Sequence, residues 1–316
     1  MHERSDDLYL AASMYYVQGE TMESIARQLS VSRSTISRLL KDARDSGLVR
    51  ITLADPIGVH SNLATTIQRI FGVRTVIVPV REGSAEVHRL DRVARAAAQL
   101  ISESVHDHSV IGIAWGTTLA AVAPHLRPRD VNDTTVVQIN GGANRVTSGI
   151  PYVGAIISQV ADAFSSDVVH FPVPAFFDFA ETKQLMWRER TIRSVLTVQR
   201  TIDLAVFGVG ALDGPVPSHV YSAGYLDTDD LAQIRRERVV GDVCTVLLRE
   251  NGSYADISLN ARASGLTPAE LQRIPRRICI VAGTSKAPAL VGALRARVAT
   301  DLVVDEATAR AVLDRL

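Results

Sequence analysis

The sequence predicts an α/β protein in two parts, an all-helical N-terminal head and a larger domain built on a parallel sheet. Three observations carry this. Through the first fifty positions, apolar residues recur almost only at helical spacing. Beyond Pro56-Ile57-Gly58, short β-branched runs alternate with helical stretches, the texture of a parallel sheet covered on both faces. The 316 residues exceed one domain of roughly 100–200 residues and suit two of unequal size. The division is placed at 1–55 and 56–316.

Leu8, Ala11, Ala12, Tyr15 and Tyr16 mark a first helix, which Gly19 stops. A second helix is expected over 21–29 and a third over 32–46, with Gly47 closing the third. Residues 48–53 alternate like a short strand, the start of a wing. Leu63, Ile67 and Ile70 then mark a connecting helix ending at Gly72. Strands are expected over 75–80, 110–114, 135–140, 167–170, 204–209, 243–249, 277–282 and 301–305. Between them, helices are expected over 89–105, 149–164, 182–199, 228–236 and 287–297.

The second and third helices have the make-up of a helix-turn-helix of the winged type. Two short helices crossing steeply need a small residue at the contact and apolar inward faces. Ala26 is the small residue, and Ile25, Leu29, Val31, Ile36 and Leu39 are the apolar set. Ser30-Val31-Ser32 is the turn, with Ser32 a natural N-cap. That leaves Ser32, Arg33, Ser34, Thr35, Ser37, Arg38 and Lys41 on or near the outward face. Arginine can pair with guanine, while hydroxyls and lysine hold phosphates. Over 27–50, six basic residues stand against two acidic ones, inside a chain whose formal net charge is +0. A bundle with an ordinary solvated face would account for any one of these residues, but not for the joint pattern. Double-stranded DNA is the expected partner.

In the larger domain, Val110–Ala114 leads into Trp115-Gly116-Thr117-Thr118, a strand feeding a turn rich in hydroxyls and main-chain N–H groups. Such a turn suits an anion, although Thr117 would serve equally as an N-cap. Four further turns share its character: Gln138–Asn144, Phe207–Ala211, Gly241-Asp242 and Ala282–Lys286. Most fall at the carboxyl ends of strands, where open α/β sheets bind ligands. Lys286 with hydroxyls suits a phosphate, and Asp242 with amides suits sugar hydroxyls. The ordinary readings are a solvated lysine and a turn carboxylate.

Taken in order, these stretches resemble the SorC family of sugar-binding transcriptional regulators over nearly the whole length. The likeness rests on 22–53, Ile113–Leu119, Gln138–Gly142, Phe207–Leu212, Ala282–Ala287 and Asp305–Ala309. It implies a Rossmann-like effector domain, similar to sugar-phosphate isomerase and CoA-transferase-like folds but without catalysis. It also implies a sugar, polyol or sugar-phosphate effector, and a homo-oligomer, dimer or tetramer. By the match, Gly116, Thr117, Thr118 and Lys286 would hold a phosphate or its counterpart. Gln138, Asn140, Gly141 and Asp242 would line the sugar pocket. Two positions depart from the pattern. Asn140 stands where a relative sensing deoxyribose phosphate uses a Schiff-base lysine, and Thr284 where many members carry a second glycine.

An enzyme of sugar-phosphate metabolism fused to a DNA-binding head is the competing reading, and a purely architectural DNA-binding protein a third. Isomerase chemistry needs a positioned base near an acidic carbon. Asp242 is the one candidate, because His88, His106, His108, His125, His170 and His219 are scattered and read as surface or structural residues. Cys244 and Cys279 sit in apolar runs without metal-ligand spacing, so buried thiols, no metal and no cofactor are expected. The polar opening Met1–Asp7 is unlike a secretion signal, and no apolar run nears the ~18 residues of a membrane span. A cytoplasmic location without membrane contact is expected.

Overall fold

The computed structural model describes residues 2–49, 59–81, 83–146, 149–214 and 218–316. The chain divides into two compact units, Met1–Pro56 and Ile57–Leu316.

In the first unit, helix His2–Ala12 runs into a π-helical turn, Ser13–Val17, where the Gln18 N–H donates to the Ser13 carbonyl five residues back. Helices Met22–Gln28 and Arg33–Asp45 follow. Their N-caps are Thr21 and Ser32, whose hydroxyls accept the N–H groups of Ser24 and Thr35. Ala12, Met14, Ile25, Ala26, Ile36, Leu40 and Ala43 form the core. Two expectations change here. Val31 is 39% exposed, because it lies on the turn just after Ser30, which takes a left-handed conformation (φ 54°). Leu39 is half-buried and packs against this core as expected, but Leu40, outside the expected set, is buried within it, since the third helix also packs on the first. Arg50–Leu53 of the expected wing strand lie outside the described residues, as does Pro56-Ile57-Gly58.

Among the described residues, the second unit begins with helix Val59–Phe71 and is organised by nine strands: β1 Arg74–Val78, β2 Val110–Ile113, β3 Thr135–Gln138, β4 Asp167–Val169, β5 Leu204–Ala211, β6 Val239–Val243, β7 Val246–Arg249, β8 Arg276–Val281 and β9 Asp301–Asp305. Seven are parallel in the order β1-β9-β8-β5-β2-β3-β4. Alternate residues of each strand face opposite sides. Ile111, Ile113, Val206 and Ile278 enter one core, while Val137, Phe207, Cys279 and Val304 enter the other. Both faces are thus sealed by apolar packing, as the near-continuous β-branched runs require.

Two expected elements differ. The single strand over 243–249 is a hairpin, β6–β7, laid antiparallel on the outer end of β5. Its two turn residues, Cys244 and Thr245, both have positive φ (51° and 68°), the backbone of a tight hairpin turn. Asn-Gly normally announces that turn, so Cys-Thr hid it. The helix over 182–199 is two helices, Ala180–Met186 and Arg190–Gln199, because Trp187 turns inward to pack edge-on against Phe171 and Phe177. Among the described residues, no helix is long and apolar enough to cross a membrane.

Candidate functional site

From β2 the chain steps outward through β3 to β4, then returns to lay β5 on the other side of β2. That reversal is the topological switch point, and the loops leaving β2 and β5 diverge there to open a crevice. A pocket occupies it, lined among others by Thr117, Thr118, Asn140, His219, Asp242 and Lys286.

Gly116 (φ 148°) turns the chain from β2 into the helix Thr117–Val122. This helix has only six residues and little dipole to offer, so the turn's donors are local. The hydroxyls of Thr117 and Thr118 make no hydrogen bond among the described residues. Asn140, just beyond β3, is 1% exposed, and its Oδ1 is buried without a partner. A buried amide oxygen left unpaired costs about 1–3 kcal/mol, so a ligand donor would find an acceptor already desolvated.

Asp242 lies in β6 opposite Gly210 of β5. Its Oδ1 accepts the Tyr221 hydroxyl at 2.9 Å, and its Oδ2 the Thr245 N–H at 3.0 Å. Burial pushes its carboxyl up to about 6, against the lowering effects of Tyr221, the Thr245 N–H and the Lys286 charge. Lys286 comes in from the loop after β8. Burial pulls its ammonium below the usual lysine range, and Asp242 and Glu86 oppose that pull. Its ammonium makes no hydrogen bond among the described residues. The pocket therefore holds an uncommitted cation, two free hydroxyls, an unpaired amide oxygen and a carboxylate held from two sides.

On the head, Ser32, Arg33, Ser34, Ser37, Arg38 and Lys41 are exposed and Thr35 is half-buried. The Ser32 hydroxyl lies 2.7 Å from that of Ser34 and 2.8 Å from that of Thr35. Arg33 Nε pairs with Glu23 Oε1 of the preceding helix at 2.8 Å, both side chains exposed.

Residues 55–314 match a family model described as "Putative sugar-binding domain". The chain belongs to that family. Residues 13–46 match the model of sigma-70, region 4. The deoxyribonucleoside regulator of Bacillus subtilis (strain 168) is 29% identical over 311 residues, 97% of this chain and 96% of the relative. Among solved structures, a domain of a "possible sugar-binding transcriptional regulator" from Arthrobacter aurescens TC1 superposes with a TM-score of 0.77 at 43% identity, covering 82% of this chain and all of that one. The full-length sorbitol operon regulator SorC of Klebsiella pneumoniae gives a TM-score of 0.76 at 24% identity, with 97% of each chain covered. The resemblance read from the motifs is thereby shown: this is a transcriptional regulator of the SorC type, with a sugar-binding domain behind its helix-turn-helix.

In this SorC-type chain, Gly116, Thr117, Thr118, Asn140, Asp242 and Lys286 meet at one pocket, whereas Gln138 and Gly141 do not line it. Gln138 Nε2 donates to the Asn140 carbonyl (2.7 Å), and its Oε1 accepts the Phe171 N–H (3.1 Å). The Gly141 N–H donates to Ser264 Oγ and its carbonyl accepts Trp115 Nε1 (2.8 Å). A Cβ at Gly141 would lie 2.3 Å from the Pro174 carbonyl oxygen, so the glycine serves close packing. Both hold the loop that presents Asn140. His219, expected at the surface or in a structural role, lines the pocket and stacks on Tyr152 at 5.0 Å. Tyr221 escaped the sequence altogether, as its helix, His219–Ser222, is too short to show a period. Tyr225, stacked on Trp115 at 4.9 Å, escaped likewise.

Proposed function

We propose that the chain controls a carbohydrate or polyol catabolic operon, binding double-stranded operator DNA under the control of a sugar, polyol or sugar-phosphate effector. The head reads DNA through Ser32, Arg33, Ser34, Thr35, Ser37, Arg38 and Lys41, a one-sided hydrogen-bonding and cationic face. The effector sits in the switch-point pocket, its anionic or most polar end against Gly116, Thr117, Thr118 and Lys286, its hydroxyls on Asn140 and Asp242. The regulator works in the cytoplasm as a homo-oligomer, and the pocket binds without turnover.

One observation carries the effector reading: Asn140, whose buried Oδ1 has no partner, lines the same pocket as Lys286 with its uncommitted ammonium. Both oxygens of Asp242 are already held, which suits an acceptor of ligand hydroxyls better than a mobile base. The names of the Bacillus and Klebsiella relatives, a deoxyribonucleoside and a sorbitol operon regulator, point to the same class of ligand. The test is a melting-temperature screen of the full chain against sugars, polyols and their phosphates, followed by operator-binding titrations with each hit. At least one compound should raise the melting temperature and change operator affinity. A panel without a hit, or turnover of a sugar phosphate abolished in Asp242→Asn, would overturn the reading.

A further inference from the structure

Lys286 enters the pocket from a loop whose geometry is fixed outside it. The chain leaves β8, turns at Gly283 (φ 105°) and makes a single 3-10 turn, Thr284–Lys286, in which the Lys286 N–H donates to the Gly283 carbonyl at 3.0 Å. One side chain anchors the start of that turn: Asp305 Oδ2 accepts the Gly283 N–H at 3.0 Å. Asp305 is fully buried at the end of β9 and caps the helix Glu306–Leu313, taking the Thr308 N–H at 3.0 Å and the Thr308 hydroxyl at 2.6 Å. Its remaining donor is Arg89 Nη1, 2.6 Å from Oδ1, on the first turn of the helix Glu86–Ser104. Arg89 is 8% exposed and its Nε is unpartnered.

The pair therefore ties three elements together at one point. A buried carboxylate deprived of its counter-ion is strongly destabilised and must move, gain water or take up a proton. Each outcome disturbs the Gly283 bond. Glu86, one turn before Arg89, lies against the same glycine, since a Cβ at Gly283 would meet Glu86 Oε2 at 2.5 Å. The charges acting on Lys286 are Asp242 from β6, Glu86 from this helix and, more weakly, Cys279 of β8.

We propose that Arg89, which does not line the pocket, is a positioning residue for Lys286: it holds Asp305, Asp305 holds Gly283, and Gly283 fixes the turn that carries the ammonium. The inference rests on the effector reading only in its binding consequence.

The first measurement therefore needs no effector. The chain has three lysines, Lys41, Lys183 and Lys286, so acetylation of each across a pH series can be followed by mass spectrometry, with Lys41 and Lys183 as internal references. In folded R89M, the midpoint for Lys286 should rise by about one pH unit as the loosened ammonium gains water, a tenfold change in free amine at fixed pH. In R89M/D305N it should return toward wild type, because a neutral amide oxygen still accepts the Gly283 N–H and needs no counter-ion. If R89M does not fold, R89K is measured instead and should show a smaller rise. A wild-type Lys286 midpoint in folded R89M, or a midpoint that stays raised in R89M/D305N, would overturn the proposal. The second measurement is inorganic phosphate affinity by calorimetry, expected to weaken in R89M. Wild-type protein that binds no phosphate would count against an anionic effector and leave the acetylation result decisive for Arg89.

Discussion

Asn140 and Asp242 show how two buried polar side chains with opposite needs can share a pocket. The amide oxygen of Asn140 is desolvated and unpaired, so the empty protein is less stable than it could be. Asn140→Leu, close in volume, should stabilise the ligand-free protein by up to about 1–3 kcal/mol of relieved desolvation, seen as a higher melting temperature, and abolish the effector response. A fall in stability with the response retained would show that the amide is satisfied. Asp242 carries the pH dependence. Its folded value of about 6 lies above the ordinary 3.8, so between these two values the folded state keeps a proton that the unfolded chain has lost. Stability from this group therefore declines as pH rises through that window and is lowest above about 6. Ligand hydroxyls need the ionised form as acceptor, so effector affinity should run the other way and weaken as pH falls through about 6. Binding titrations over that range should show the slope in wild type and a flat, weaker profile in Asp242→Asn. An unchanged slope in the variant would assign the titration to another group.

At the scale of elements, legibility followed chemistry. The β-branched runs of β2, β5, β8 and β9 announced themselves because both faces of each strand are buried. The hairpin β6–β7 did not, because its turn residues are Cys and Thr in a conformation ordinarily left to Asn and Gly. Six of the eight expected pocket residues converge: five follow strand ends, which a parallel sheet gathers on one side, and Asp242 is brought to them by the antiparallel hairpin β6–β7. Gln138 and Gly141 were chemically indistinguishable from ligand contacts, and only the fold shows their hydrogen bonds turned inward. The head gives a similar contrast. Leu40, not Leu39, is fully in the core, so Leu40→Ala should cost about 2–5 kcal/mol of head stability and abolish operator binding. Leu39→Ala should cost distinctly less, and equal losses would move the packed face back by one residue. On the outward face, Arg38→Ala should weaken operator binding by about 1–3 kcal/mol if it reads a guanine. Arg33 is held by Glu23 in an exposed pair of small intrinsic worth. Glu23→Gln should therefore tighten operator binding at low salt, and the gain should fade as salt rises. A loss of affinity instead would show that the pair orients Arg33 for DNA.

For the molecule as a whole, assembly and control remain to be joined. Phe179 and Leu185 are 67% and 61% exposed, and Phe179 borders the pocket lined by Phe176, Phe177 and Met186. Contiguous exposed apolar patches mark protein interfaces, whereas residues exposed singly do not. Replacing both with serine should lower the mass measured by light scattering if this face joins copies of the chain. The stronger test of control is thermodynamic and does not depend on how the two units are arranged. If the effector changes operator affinity by some factor, the operator must change effector affinity by the same factor, typically about 5–150-fold. Calorimetric titration of the effector into free protein and into the operator complex should give that ratio. It should equal the ratio of operator affinities measured with and without effector. A chain that bound both ligands with no coupling would be a DNA-binding protein with an incidental sugar site. Matching ratios that both collapse toward one in Asn140→Leu would place the start of the signal at the buried amide.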